Sequence, residues 1–351
     1  EQKLGEEHPE VARSLINLSS IYSEQGKFTN AEQLLLRALA INKKAYGEDH
    51  LEVAFTLVHL GSLYSDLAIY QKAESYFQRS LNIREQKLGE EHPEVAIIYN
   101  NLGVLYHDQG LFEKAETSYK RSISIEKSYG LADDATLNNL AGLYSDQGKI
   151  NQAESLYIEA LRLAEKEKEF KPIRYSIALN NLATLYTIKG HLKKSQKLLD
   201  DSLDILERKL PTEHPEIANR LNNLATLYIR IRDFPKAEIF LRRALEINSK
   251  IYGKESFQVA TNLSNLALIN DGESEEIYKD ILKIYKTLAP MHPERAGILA
   301  DLGAYYSQIG FKRKATLLSL KALKLQEISL GLENIHVAVT LSNLGVIYLE
   351  R

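Results

Sequence analysis

Residues 1–12 (EQKLGEEHPEVA) recur without change at 85–96, a separation of 84 residues, or twice 42. The phrase Leu-x-x-Leu-Tyr, with conservative variants, begins at Leu18, Leu60, Leu102, Leu140, Leu182, Leu224, Leu266, Leu302 and Leu344, at intervals of 42, 42, 38, 42, 42, 42, 36 and 42. A second phrase, mostly Ala-Glu, follows at Ala31, Ala73, Ala115, Ala153 and Ala237, with degenerate copies at Ser195 and Ala315. Self-similarity at a period of this size means stacked supersecondary units, each burying its apolar face only against its neighbours. A chain of 351 residues would otherwise suggest two or three separate cores. The repetition overrides that estimate.

Each unit reads as two helices. Leu102, Gly103 and Tyr106 share one face at helical spacing. Gly110 then interrupts the pattern, as Gly26, Gly148, Gly190 and Gly310 do elsewhere, and supplies the left-handed turn that ends a helix. Ala115, Tyr119, Ser122 and Ile123 form the buried stripe of the second helix, and the small residues Gly103 and Ala115 predict a close backbone approach. In the linker Gly-Glu-Glu-His-Pro-Glu (89–94), the proline suits the first position of the next helix and Glu94 its first turn.

The motif Asn-Asn-Leu-Gly-x-Leu-Tyr-x-x-Gln-Gly-x-Phe-x-x-Ala-Glu, as it stands in Asn100–Glu116, resembles the signature of the tetratricopeptide repeat, in the longer 42-residue variety of the kinesin light chain. Bacterial arrays of this kind are common parts of larger signalling proteins. The resemblance covers the whole chain. It implies an all-α, right-handed α-α superhelix of eight helix pairs plus a ninth first helix, with a concave groove lined mainly by first helices. The expected organisation is one solenoid over 1–351, with repeats near 8–46, 50–88, 92–129, 133–167, 172–210, 214–252, 256–288 and 292–330 and a half repeat at 336–351. Glu1 to Glu10 read as the interior of a repeat, so the chain is expected to be a piece of a longer protein. Two departures predict local bends: the shortened linker at 128–134, which lacks His-Pro-Glu, and the clipped turn of repeat seven at 270–274.

Composition narrows the function. A net charge of −3 gives no overall basic field, which argues against nucleic acid as a partner. The absence of cysteine removes disulfides and thiolate metal sites and fits a reducing, cytoplasmic setting. No apolar run reaches the roughly 20 residues that span a bilayer. His8, His50, His92, His214, His292 and His336 fall at the linker position, too far apart to converge on a metal, and point to capping or turn packing. No Ser-His-Asp set, phosphate loop or His-Glu-x-x-His is present, so neither a cofactor nor catalysis is expected.

At about 100° per residue, the face opposite the buried stripe holds the residues one, two and five before each leucine and two, five and six after it. The residue just before is Asn17, His59, Asn101, Asn139, Asn181, Asn223, Asn265, Asp301 and Asn343; the one before that is Asn100, Asn138, Asn180 and Asn222 in the middle units. Asparagine competes for backbone hydrogen bonds and suits mid-helix positions poorly, so its retention on an exposed face calls for a reason. An amide ladder can pair with an extended peptide, a role that the family resemblance extends to these positions, or it can bond neighbouring first helices and fix repeat stacking. Glu24, Asp66, Asp108 and Asp146, followed by Ile188 and Arg230, sit two residues after the tyrosine. The carboxylates form an acidic lip that favours Lys or Arg in a ligand, or else simply a solvated row. Arg13, Arg220 and Arg230 are candidate basic points of the groove, whereas Arg37, Arg79, Arg121 and Arg243 fall by angle on a solvated convex side. The expected function is a non-catalytic scaffold holding an extended peptide or partner helix. The alternatives are the recruiting arm of a larger signalling protein and a spacer that self-associates through apolar ends such as Leu341, Leu344 and Tyr348.

Overall fold

The computed structural model describes residues 5–130, 134–270, 272–332 and 334–349. It divides into two compact units, 1–210 and 211–351. In the first unit α1 (Pro9–Glu24) pairs with α2 (Phe28–Tyr46), α3 (Leu51–Asp66) with α4 (Tyr70–Leu88), α5 (Pro93–Asp108) with α6 (Phe112–Ser128), α7 (Asp134–Asp146) with α8 (Ile150–Lys166), and α9 (Pro172–Ile188) with α10 (Leu192–Lys209). In the second, α11 (Pro215–Arg230) pairs with α12 (Phe234–Tyr252), α13 (Phe257–Ala267) with α14 (Ser274–Leu288), and α15 (Pro293–Gln308) with α16 (Lys312–Leu330), followed by α17 (Ile335–Leu349). The described residues are helices and turns without strands, so the all-α expectation holds.

The linker histidines start the helices. His8, His50, His92, His214 and His292 are N-caps whose Nδ1 accepts from the backbone N–H two residues on, each at 3.2 Å. The acceptor nitrogen carries no proton, which places the ring proton on Nε2. Ser256 takes the same place for α13, accepting from the N–H of Val259 at 3.3 Å. Before α17 the cap is Asn334, which accepts from the N–H of His336, so His336 lies past the cap and not in the linker position expected of it.

The turn between paired helices follows the glycine pattern. Gly110 sits at φ 72°, and the next N–H, of Leu111, returns to the carbonyl of Tyr106 at 2.8 Å. Repeats two and six use the same left-handed step without glycine, at Ala68 (φ 55°) and Arg232 (φ 61°). Gly103 serves a different end from the one expected. A Cβ there would meet the ring of Tyr119 at 2.5 Å, and one at Gly61 would meet Phe77 at 2.7 Å. These glycines seat an aromatic side chain of the second helix against the first.

The paired phrases of the sequence form one contact between repeats. Leu102 and Leu105 are buried in the core, while the Tyr106 hydroxyl donates to Glu74 of the preceding Ala-Glu phrase at 2.6 Å. Tyr144 donates to Glu116 at 2.9 Å, and Tyr64 bonds Glu32. A lysine of the repeat's own turn or second helix lies over each ring: Lys72 over Tyr64 at 4.7 Å, Lys114 over Tyr106 at 5.1 Å and Lys149 over Tyr144 at 5.2 Å. One further buried polar pair marks several interfaces: Asn42 Nδ2 donates to Thr56 Oγ1 at 3.0 Å, Thr136 to Glu126 at 2.8 Å, and Asn248 to Asn262 at 2.7 Å.

Of the two irregular places, the linker before α7 includes residues 131–133, which lie outside the described residues. In repeat seven α13 is only 11 residues long, and buried Ser274 closes the clipped turn by donating to the carbonyl of Ala267 at 2.8 Å. On α17, Leu341 and Tyr348 are exposed as expected, but Leu344 is buried against the preceding pair.

Two outcomes follow from these turns and caps. Ala68→Gly or Arg232→Gly should stabilise the fold by about 0.5–1 kcal/mol, the relief of left-handed strain minus glycine's extra unfolded entropy, read as a raised thermal midpoint. His292 packs against the rings of both Phe257 and Tyr285, and burial holds its pKa down to about 4. The unfolded chain therefore takes up this proton first, and stability falls as pH drops from about 6.5 towards 4. His292→Asn, which keeps a capping side chain of the Asn334 kind, should lose less stability over that window in paired denaturation curves.

Candidate functional site

Within the first unit, the first helices α1, α3, α5, α7 and α9 touch one another in succession, more closely than successive second helices do. Side-chain rungs between neighbouring first helices map that inward face from one end to the other. Arg13 of α1 bonds Glu52 of α3 at 3.3 Å, and Arg174 of α9 pairs with Asp134 of α7 near the helix starts. Asn139 Nδ2 donates to Asn100 Oδ1 at 3.0 Å at mid-helix, and His107 Nε2 meets Asp146 Oδ2 at 2.9 Å at the helix ends.

The asparagines separate into two rows. Those just before the leucine remain accessible: Asn17 is exposed, and Asn101, Asn139, Asn181, Asn223 and Asn265 are half-buried. The row one residue earlier turns between helices, and this corrects the expectation of an exposed face for it. Asn138, Asn180 and Asn222 are buried, at 7%, 6% and 9% exposure, and Asn100 is half-buried. In the second unit Asn262 Nδ2 donates to Asn222 Oδ1 at 2.7 Å and in turn accepts from Asn248, a buried chain of three amides. The Asn100–Asn139 and Asn222–Asn262 bonds are of the kind that repeat stacking requires. Sequence reasoning passed over Asn262, whose only signal was another amide in a mid-helix apolar stretch.

The carboxylates Glu24, Asp66, Asp108 and Asp146 all reach solvent. Protein crowding on the inward face thins the hydration of two of them. Asp66 is pushed up to about 6 by that desolvation and then by repulsion from Asp108, and Asp108 is raised by desolvation, partly offset by His107. Among the described residues neither makes an ion pair, whereas Asp146 is engaged by His107. In the second unit Asp301, at the asparagine position of α15, is raised in the same way.

Several arginines stand elsewhere than expected. Arg220 is no groove cation: its side chain is buried and bonds Glu216 at 3.1 Å. Arg230 is exposed. The second-helix arginines do not simply face solvent. Arg121 donates to Glu91 at 2.8 Å, Arg79 pairs with Glu48, and Arg37 reaches the Glu6 carbonyl at 3.4 Å, so each ties its helix to the linker that opens its own repeat. Sequence reasoning also passed over Phe55 and Ile97, five residues before the leucine, which are 41% and 54% exposed on the asparagine side of α3 and α5.

Among the described residues no group of three or more His, Cys, Asp or Glu could hold a metal ion, and no described helix is long and apolar enough to cross a membrane.

Helix pairs recurring along the chain, with Tyr-Glu bonds between early repeats and histidine N-caps on five first helices, define a helical repeat protein. The family model of the tetratricopeptide repeat matches residues 1–44, 10–86, 70–128, 133–208 and 174–250, and the chain belongs to that family. Among curated proteins no sequence match is found. Among solved structures, a Rap protein complexed with Competence and Sporulation Factor is 11% identical with a TM-score of 0.62, over 92% of this chain and 99% of that one. The Rap conjugation gene regulator of plasmid pLS20, in complex with the Phr* peptide, is 15% identical with a TM-score of 0.62, over 93% and 99%. BtubC (BKLC) from P. vanneervenii is 24% identical with a TM-score of 0.48, over 63% and 91%. At these identities the likeness is one of fold.

The buried amide chain and the accessible row differ in what they cost to remove. Asn262→Ala strands the amides of Asn222 and Asn248 in the core and should cost about 2–4 kcal/mol. Asn139→Ala, at a half-buried rung, should cost about 0.5–1.5 kcal/mol. Chemical denaturation of the two variants checks the contrast.

Proposed function

We propose that this chain is a non-catalytic protein-interaction scaffold that holds an extended peptide or a partner helix against the first-helix face. The observation that carries the reading is the row of accessible amides Asn101, Asn139 and Asn181 on the adjoining first helices α5, α7 and α9, continued through His59 of α3 to Asn17 of α1. Each amide offers a donor and an acceptor, and from α5 to α9 they follow at one helix spacing, which suits the regularly spaced polar groups of a peptide backbone. Their helices are held by the tyrosine-glutamate bonds, so the receptor is preorganised and loses little entropy on binding. The two Rap structures, one in complex with Competence and Sporulation Factor and the other with the Phr* peptide, support a peptide ligand for a fold of this kind. The absence of cysteine suits work in a reducing compartment such as the cytoplasm.

Selection from a random peptide display library tests the reading. Wild-type protein should enrich a consensus, and Asn139→Ala/Asn181→Ala should bind the recovered peptides about tenfold more weakly or worse while keeping a cooperative melt. Unchanged affinity in that folded double variant would remove the ladder from the site.

A further inference from the structure

The face formed by α3 and α5 presents three parallel rows of different chemistry. Phe55 and Ile97 lie towards the helix starts and are exposed; the Phe55 ring also packs edge-on against His59 at 4.8 Å. His59 and Asn101 form the middle row, both half-buried. Asp66 and Asp108 form the third row at the helix ends, in solvent yet short of hydration, repelling one another and without an ion pair among the described residues. The lysines nearest in the repeat pattern, Lys72 and Lys114, are drawn over the rings of Tyr64 and Tyr106. An unpaired, mutually repelling carboxylate pair across the middle row from exposed apolar side chains is a poor surface to leave to water alone, and a cation brought beside it gains from both terms.

The spacing says how a ligand would meet these rows. At 1.5 Å per residue, Ile97 lies about 6 Å from Asn101 along α5, and Asp108 about 10 Å on the other side. An extended chain laid along the middle row sends successive side chains to opposite sides, with about 7 Å between residues two apart. The long stems of lysine or arginine cover the remainder of the distance to carboxylates on helices whose axes lie about 8–10 Å apart.

We infer that the α3–α5 face selects an extended segment alternating apolar and basic side chains, the apolar ones against Phe55 and Ile97 and the basic ones against Asp66 and Asp108. This rests on the first-helix groove reading above and adds the charge and the pattern of the ligand to it.

Fluorescence anisotropy with three labelled peptides of about ten residues, alternating Leu-Lys, Leu-Glu and Ser-Lys, separates the possibilities. The Leu-Lys peptide should bind the wild type, with the other two weaker by about tenfold. Asp66→Asn/Asp108→Asn should reduce Leu-Lys affinity by about threefold to tenfold, the range of two partly solvated charge pairs. Phe55→Ser/Ile97→Ser should do likewise, and Asn101→Ala should weaken Leu-Lys and Leu-Glu alike. Thermal melts confirm that each variant is folded. Equal binding of Leu-Lys and Leu-Glu, indifference to the aspartate substitutions, or no Leu-Lys binding to the wild type overturns the inference. If Asn101→Ala weakens binding while the aspartate variant does not, the groove stands and the charge pattern falls. If only the aspartates matter, with Asn101, Phe55 and Ile97 indifferent, the peptide is adhering by charge alone, and the groove reading falls with the inference.

Discussion

The hydroxyl of Tyr106 donating to Glu74 of the preceding repeat is the contact on which the rest of the array depends. A helix pair has one apolar face towards its own partner and others towards its neighbours, and apolar packing alone is non-directional. The tyrosine supplies direction. Its ring is sandwiched in the interface, its hydroxyl reaches one specific carboxylate, and a lysine of its own repeat covers the outer face of the ring. The same three-part contact at Tyr64 and Tyr144 sets each new pair at a fixed height against the last. Buried pairs that differ from one interface to the next, Asn42 with Thr56, Thr136 with Glu126 and Asn248 with Asn262, add a second constraint. Residues 1–12 and 85–96 are identical, so apolar matching could not by itself distinguish their neighbours. A wrong neighbour would leave a buried polar atom unpaired.

The elements were legible in the sequence because their signals are local. Glycine marks the left-handed step, and proline and glutamate mark the helix start. A capping reading of the linker histidines was available from their position alone, and five of the six cap a helix through Nδ1. Ala68 and Arg232 show the limit of that reading, since the hydrogen bond from the following N–H forces the same backbone step on residues that disfavour it. The purpose of Gly103 was hidden for a related reason: a missing Cβ announces a close approach but not whether backbone or a tyrosine ring makes it.

The candidate site was less legible, because a helical angle gives direction and not distance to the next helix. Two consecutive asparagines are about 100° apart, and a neighbouring first helix is close enough to cover one and leave the other open. That is how Asn138 and Asn180 came to be buried beside accessible Asn139 and Asn181. The second-helix arginines add a contact that a helical angle does not show. Their angle does point away from the core, but a side chain as long as arginine's can turn back along the surface to the acidic linker.

Within the chain, the repeats serve as comparisons for one another. The tyrosine of the first helix recurs as Tyr64, Tyr106, Tyr144 and Tyr186, and the first three make the same directional bond to the preceding repeat. The position two residues later runs through Glu24, Asp66, Asp108, Asp146, Ile188 and Arg230, and all six side chains are exposed. Carboxylate, aliphatic and guanidinium groups can exchange there because none of them is buried between the helices, although Asp146 still reaches His107 of the preceding repeat. A solenoid of this kind thus keeps its architecture on particular rows of each helix, with the buried asparagines committed to packing and the helix ends left free to vary.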